Sequence, residues 1–246
     1  MTATADVIIA ANPSVAETLQ LHGHTAALIP YGCDFGVFGR THLVSPAQDI
    51  RLVRPMAVFM GHLGDRIDLE ILEAVAESNV SLLIVGPLHP RTDLNRFNAV
   101  LAHGNVQWVG ERPFEDLPRY LAHAEVGILP YTHSKFNIGS FPLKVLEYLA
   151  ASLPVVATGL PAISWLNSPH IDIAEGPQGF TKAVLERLGS MRDETGDSDR
   201  RAFAAGHSWE ARARSFLEAM NLAAPSEAGT TSISDVEGQA GGLSRR

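Results

Sequence analysis

The sequence predicts a doubly wound α/β domain, a parallel sheet with helices on both faces. Three observations carry this. Short apolar runs recur without polar alternation, as strands covered on both faces require. Between them lie segments whose apolar residues fall at helical spacing, such as Leu69, Leu72 and Ala76 on one stripe. From Met56 to Met191 the two kinds of segment alternate, which is the pattern of repeated βαβ units.

Strands are expected at Asp6–Ala10, Met56–Met60, Ser81–Val85, Val106–Val109, Val126–Leu129, Pro154–Ala157 and Ile171–Ala174. Helices are expected at Asp68–Glu77, Asp93–Ala102, Phe114–Ala124, Phe141–Ala151 and Phe180–Met191. Residues 1–30 add one strand, a short helix at Pro13–Leu21 and the apolar stretch Ala26–Ile29, too little for a core of their own. Ser208–Ala223 reads as an amphipathic helix with Trp209, Phe216 and Leu217 on its packed side. Residues 225–246 have almost no apolar content and are expected to be a disordered tail. The expected division is thus 1–30, an intervening segment 31–52, a sheet domain 53–206, a helix within 207–224, and the tail.

Composition narrows the function. The chain has 246 residues, 46% of them hydrophobic, enough for a sizeable core. A formal net charge of −8 repels the phosphate backbone and argues against general nucleic-acid binding, though local basic residues can still hold a small anion. The lone cysteine, Cys33, precludes a disulfide within the chain and fits a reducing cytoplasm. No signal peptide is expected from the N-terminal residues. The apolar runs are far shorter than the ~20 residues that cross a bilayer. Peripheral contact at the inner membrane face is left open.

In open α/β sheets ligands bind beyond the carboxyl ends of the strands. Two such loops carry chemistry. Gly61-His62-Leu63-Gly64-Asp65-Arg66 follows a strand and precedes a helix. Its glycines let backbone approach a phosphate, and Arg66 can add a bidentate contact. The spacing does not meet the dinucleotide fingerprint G-x-G-x-x-G, and a plain strand-to-helix turn explains it as well. The second loop runs from Tyr131 through Gly139 and Ser140 into a helix, with the N-cap expected at Ser140 or Phe141. Lys144 in the first turn opposes the helix dipole unless an anion offsets it. Glu147 sits in an otherwise apolar helix, where a carboxylate needs hydrogen-bond donors. The two hydroxyls of a ribose would serve, and so would an i,i+3 pair with Lys144.

The run P-L-K-V-L-E-Y-L-A-A-S-L-P-V-V-A-T closely resembles the P-x-K-x-x-E-Y-L-A-x-G-x-P-V-V-x-T segment of family-four (group 1) retaining glycosyltransferases, and within them the bacterial teichuronic-acid and polysaccharide branch. Further segments match in order. Ile29-Pro30-Tyr31-Gly32-Cys33-Asp34 with Phe38 resembles I-P-N-G-V-D-x-x-x-F. Val109-Gly110 followed by Leu117-Pro118-x-Tyr120 resembles G-x-x-x-x-x-x-L-P-x-Y. Ala124 to Tyr131 resembles A-D-V-G-L-x-P-Y, and His207-Ser208-Trp209-Glu210 resembles h-S-W-e. The resemblance covers about residues 1–220.

It implies the C-terminal Rossmann-like domain of a GT-B enzyme, a nucleotide-diphosphate sugar as donor, a saccharide or lipid-linked acceptor, and retaining transfer with no metal or other cofactor. Glu147 would hold the ribose. Gly61, His62, Gly64, Gly110, Tyr131, Ser140, Phe141 and Leu143 would line the donor site. The family's Arg/Lys pair after its first two strands is poorly matched here; by their chemistry Arg66 and Lys144 are expected to take its place and stabilise the leaving diphosphate. The family's first glutamate falls at Gly139. Asp6–Ala10 and Asn12-Pro13-Ser14 match the end of the family's N-terminal domain, so a separate N-terminal domain is an expected partner. The alternatives are a non-catalytic nucleotide-sugar-binding module and another GT-B enzyme such as a nucleotide-sugar epimerase.

Other signals are weaker. Asp197-Ser198-Asp199 reads as a polar linker and not as a metal site. His133 lies on a site-facing loop, and Trp108, Trp165 and Trp209 read as core anchors.

Overall fold

Burial on both faces turns the apolar runs of this chain into a sheet, and the order of its strands places the site. The computed structural model describes residues 5–190 and 194–221. A small unit comes first: β1 (Ile9–Ala10), α1 (Pro13–Leu21) and β2 (Ala27–Leu28), its two strands parallel with Ile9 opposite Ala27. The Asn12 side chain caps α1 by accepting from the Val15 amide, and its Nδ2 donates to the Gly139 carbonyl at 2.5 Å. α2 (Phe35–Phe38) and a 3-10 turn at Thr41–Leu43 connect this unit to the body.

The body runs β3 (Met56–Met60), α3 (Leu69–Glu77), β4 (Ser81–Val85), α4 (Leu94–Leu101), β5 (Val106–Trp108), α5 (Leu117–Leu121), β6 (Val126–Leu129), α6 (Lys135–Ile138), α7 (Lys144–Ala150), β7 (Val155–Ala157), α8 (Pro161–Leu166), β8 (Ile171–Ile173), α9 (Gly176–Gly189), α10 (Glu194–Ala205) and α11 (Trp209–Ala219). The six-stranded sheet has the order β5-β4-β3-β6-β7-β8, and every pairing is parallel. The expected parallel sheet is therefore present. The direction of winding reverses between β3 and β6, so a crevice opens at their carboxyl ends.

β3, β4 and β6 are buried at every residue, which is why their limits coincide with the apolar runs. Asp68 and Asp93 cap α3 and α4 with their carboxylates, setting where each helix leaves its loop. Tyr148 of α7 locks the centre. Its hydroxyl accepts the Met60 amide at 2.7 Å, and its ring lies on Gly127 of β6, where a Cβ would collide with it. Only glycine lets this tyrosine close on the sheet.

Several expectations change. The 197–199 stretch is not a linker. It belongs to α10, which packs on α7 through buried Arg200 and Ala204. Arg200 donates to the Ser152 carbonyl at 2.7 Å and to Asp197 at 2.5 Å, so Asp197 is engaged by a side chain of its own helix. The three tryptophans are not core anchors: Trp108, Trp165 and Trp209 are 36%, 39% and 47% exposed. Trp108 instead donates to the Gly86 carbonyl at 2.9 Å. α11 buries none of its residues, and Phe216 is exposed. Helices α2, α6 and α8 were not expected; each is only four to six residues long. The expected tail, 225–246, lies outside the described residues. Among the described residues no helix is long and apolar enough to cross a membrane.

Candidate donor site

The loop after β3 is the floor of the crevice. It is stitched to the strand end on each side. On one side Gly61 and Leu63 donate to the Val85 and Pro87 carbonyls at 2.9 and 3.0 Å. On the other, Asp68 donates to Pro130 at 2.8 Å and Thr132 donates to Arg66 at 2.9 Å. Gly86 has φ +139, and a Cβ there would run into the Gly61 backbone, so at this point the two loops can close only on a glycine. The Gly61 and Leu63 amides are thus spent within the protein. Gly64 is buried beside the His89 side chain and lies behind the crevice.

Two lobes open above this floor and share Gly61, His62 and Lys144. The first, about 340 Å³, lies between the loop after β4 and the loop after β5, with Gly86, Glu111, Arg112 and Phe114 in its wall. The second, about 220 Å³, lies toward β6, with Arg66, Tyr131, Phe141 and Leu143 in its wall. Of the two expected cations, Lys144 faces both lobes and Arg66 only the second. Gly110, Ser140 and Glu147 stand behind the linings. Gly110 turns the chain at φ +74 and accepts from the Gly86 amide at 2.8 Å. Ser140 accepts from Arg66 at 3.4 Å and donates to the Asn137 carbonyl at 3.1 Å.

The start of α7 differs from the expected cap. Leu143 occupies the N-cap position with no side-chain cap bond, and Lys144 is the first helical residue. Pro142 and Leu143 form a tight turn whose carbonyls accept from Val145 and Leu146 at 3.1 and 3.0 Å, and this delays the helix past Ser140 and Phe141. The Val145, Leu146 and Glu147 amides are thereby taken up by the Pro142 and Leu143 carbonyls, and the Lys144 side chain is what α7 brings to the junction of the lobes.

Lys144 donates to Glu147 at 2.7 Å, so the expected i,i+3 pair is present, though it is not on the surface: Glu147 is 6% exposed. Burial raises the Glu147 pKa above the usual carboxylate value, with Lys144 opposing that and Asp34 adding to it. Burial likewise raises the Tyr131 phenol. His133 is exposed, beside Glu175 at 3.6 Å and away from the linings described.

The sequence reading missed two further groups. Asn137 is fully buried; its Oδ1 accepts from Arg66 at 2.8 Å, and its Nδ2 donates to the Arg66 and Thr132 carbonyls at 2.9 and 2.8 Å. Arg112 donates to the Tyr120 hydroxyl at 2.6 Å and to Asp49 at 2.9 Å, holding the Asp49 carboxyl below its ordinary value. No local pattern marks either residue, because one partner of each, Arg66 for Asn137 and Asp49 for Arg112, comes from a distant part of the chain.

With this geometry in place, residues 54–189 match the family model described as glycosyl transferases group 1. The chain belongs to the group 1 glycosyl transferases. A relative in Bacillus subtilis (strain 168), TuaH, named as a teichuronic acid biosynthesis glycosyltransferase, is 33% identical over 165 residues, which is 65% of this chain and 41% of TuaH. Sucrose-phosphate synthase from Thermosynechococcus elongatus superposes with a TM-score of 0.68 at 21% identity, over 89% of this chain and 58% of that one. Anabaena Alr3699/HepE in complex with UDP superposes with a TM-score of 0.68 at 14% identity, over 88% and 64%. This group 1 chain therefore spans less than two thirds of the length of each of these three proteins. Its six-stranded sheet is a Rossmann-like domain of the GT-B fold.

Proposed function

We propose that this chain binds the donor of a glycosyl transfer, a nucleoside diphosphate sugar, and serves a retaining, metal-independent transferase acting on a saccharide or lipid-linked acceptor. One observation carries the reading: two lobes meet at Gly61, His62 and Lys144, at the carboxyl ends of β3 and β6. That arrangement suits a ligand with two bulky ends and an anionic middle. The diphosphate takes the junction, beside the Lys144 ammonium. The nucleoside takes the first lobe and the sugar the second. As the bond from the anomeric carbon to the diphosphate breaks, negative charge grows on the departing oxygen, and Lys144 lies where it offsets that charge. Anabaena HepE, of like fold, binds UDP and UDP-glucose, which supports the same ligand class here.

Glu147 accepts the ribose hydroxyls in this reading, beside the Lys144 ammonium that already bonds its carboxyl. Calorimetry with nucleoside diphosphates tests it. Glu147→Gln lowers affinity for UDP or GDP about tenfold or more, the value of a lost charge-assisted hydrogen bond. The matching deoxyribose diphosphates are much less sensitive to the substitution. Equal sensitivity of ribose and deoxyribose ligands removes Glu147 from the ribose, and no binding at millimolar ligand by folded protein overturns the proposal.

Transfer needs a second wall to position the acceptor and exclude water. We infer that a separate N-terminal domain, supplied in cis or in trans, provides that wall and the acceptor site. Val15, Leu21, Tyr31 and Trp209 leave apolar surface exposed for it. Peripheral membrane contact by that assembly fits a lipid-linked acceptor.

A further inference from the structure

A buried side chain of the first unit reaches the wall of the second lobe. Asn12 follows β1 and is 6% exposed. Its Oδ1 accepts from the Val15 amide at 2.9 Å and caps α1. Its Nδ2 donates to the Gly139 carbonyl, 127 residues away, at 2.5 Å. The two partners fix which way the amide points: reversed, it would set N–H against N–H and oxygen against oxygen. Gly139 ends α6 and stands two residues before Phe141. Phe141, Pro142 and Leu143 then line the second lobe. The body holds the same segment through Arg66, which donates to Asn137 at 2.8 Å and to Ser140 at 3.4 Å. The wall of the lobe is thus gripped from both units. If the segment moved off Asn12, a buried N–H would lose this acceptor, and an unpaired buried donor is costly.

We propose that Asn12 is a positioning residue for donor binding, coupling the seating of the first unit on the body to the shape of the second lobe. The proposal rests on the assignment of that lobe to the sugar. α1 packs on α8, which seats the unit. Asn12, at the start of α1, carries that seating to Gly139 and so to the lining that follows. The first lobe and its wall at Glu111, Arg112 and Phe114 are not reached by this route. Asn12 therefore acts on the sugar more than on the nucleoside. Coupling of this kind is reciprocal: a ligand that orders the 139–143 segment also steadies α1.

Calorimetry and amide hydrogen exchange on the whole chain test this, with UDP, UDP-glucose, GDP and GDP-mannose as ligands. Asn12→Ser and Asn12→Asp both keep an oxygen to cap α1. Serine is too short to reach Gly139, and an ionised aspartate has no donor. In both variants the sugar nucleotide that binds loses about threefold to tenfold in affinity, as for one neutral hydrogen bond. With the uncharged Asn12→Ser, the bare diphosphate changes less than about twofold. Exchange in the free variants speeds up by about threefold or more at 138–143 and stays nearly unchanged in α1. In the unsubstituted chain the bound sugar nucleotide slows exchange in α1 as well as at 138–143, and in Asn12→Ser it slows only the latter. Thermal melting confirms that each variant is folded, and the effect of ligand on α1 in the unsubstituted chain stands even where a variant is not. A residue that only caps α1 would leave affinity and exchange at 138–143 unchanged in both variants. That result overturns the proposal and leaves the donor reading intact, as does a bound ligand that leaves α1 exchange unchanged in the unsubstituted chain. An equal loss for bare diphosphate and sugar nucleotide in Asn12→Ser also overturns it, because Asn12 would then act on the junction. Failure of all four ligands to bind overturns the donor reading and this proposal with it.

Discussion

The chain builds parallel βαβ structure twice, and only one copy has a core. In the body, β3 and β4 are buried at every residue, and α3 between them buries five residues against the sheet. In the first unit, β1 and β2 are two residues each, and α1 between them buries none. The local rules are obeyed equally. α1 has an asparagine N-cap and proline at its start, as good an entry as the aspartate that caps α3. The difference lies in the neighbours. β3 has a strand on either side, whereas β1 has one, and a helix packed on a two-stranded ribbon has little surface to cover. Secondary structure is set locally here, and stability is set by the number of layers.

The largest expected effect separates the two units directly. Phe59 is fully buried in β3. Phe59→Ala leaves a cavity at the centre of the sheet and lowers unfolding free energy by about 3–5 kcal/mol, read from urea denaturation followed by circular dichroism. A loss below about 1 kcal/mol would mean that the body lacks the continuous core described.

An intermediate effect is expected where the connecting segment meets the body. Cys33 and the 207–209 turn exchange backbone bonds of 3.0 and 3.1 Å. His207 lies in that turn against Phe203, and Arg212 donates to its Nδ1. Burial, reinforced by the Arg212 charge, lowers its pKa from 6.5 to about 4. The folded state therefore keeps this imidazole neutral while the unfolded chain takes up a proton below pH 6.5. Its contribution is intact above pH 6.5 and is lost as pH falls toward about 4. Denaturation midpoints from pH 7 to pH 4 should fall further for the unsubstituted chain than for His207→Gln, which still offers Arg212 an acceptor. Parallel curves would show that His207 does not titrate with folding.

The same contrast explains what could be read from sequence. β3, β4 and β6 were legible to the residue, because burial on both faces leaves uninterrupted apolar runs. Lys144 and Glu147 were legible because an ion pair inside an apolar helix is visible as a break in pattern. α10 was not. Its packing depends on the aliphatic stem and hydrogen bonds of Arg200 as much as on Ala204, and a pattern of apolar residues does not register a buried arginine. Asn137 and Arg112 were not, because one polar partner of each, Arg66 and Asp49, lies 71 and 63 residues away. The tryptophans misled for a related reason: size suggests a core, yet each sits at an edge where one face remains open.

The smallest expected effect is the sharpest test of the contrast. Leu21 ends α1 and is 86% exposed. A leucine at the corresponding end of a body helix would be packed, and losing it would cost several kcal/mol. Here Leu21→Ser removes no contact that folding makes, so unfolding free energy should change by less than about 0.5 kcal/mol. Its effect should appear in association. Like Val15 on the same helix it is exposed, and replacing it with a hydroxyl lowers the apolar surface open to association between copies of the chain. Analytical ultracentrifugation of Leu21→Ser beside the unsubstituted chain would show a lower fraction of dimer and larger species at matched concentration. A stability loss above about 1 kcal/mol would instead place Leu21 in a packed environment and give the first unit a core after all.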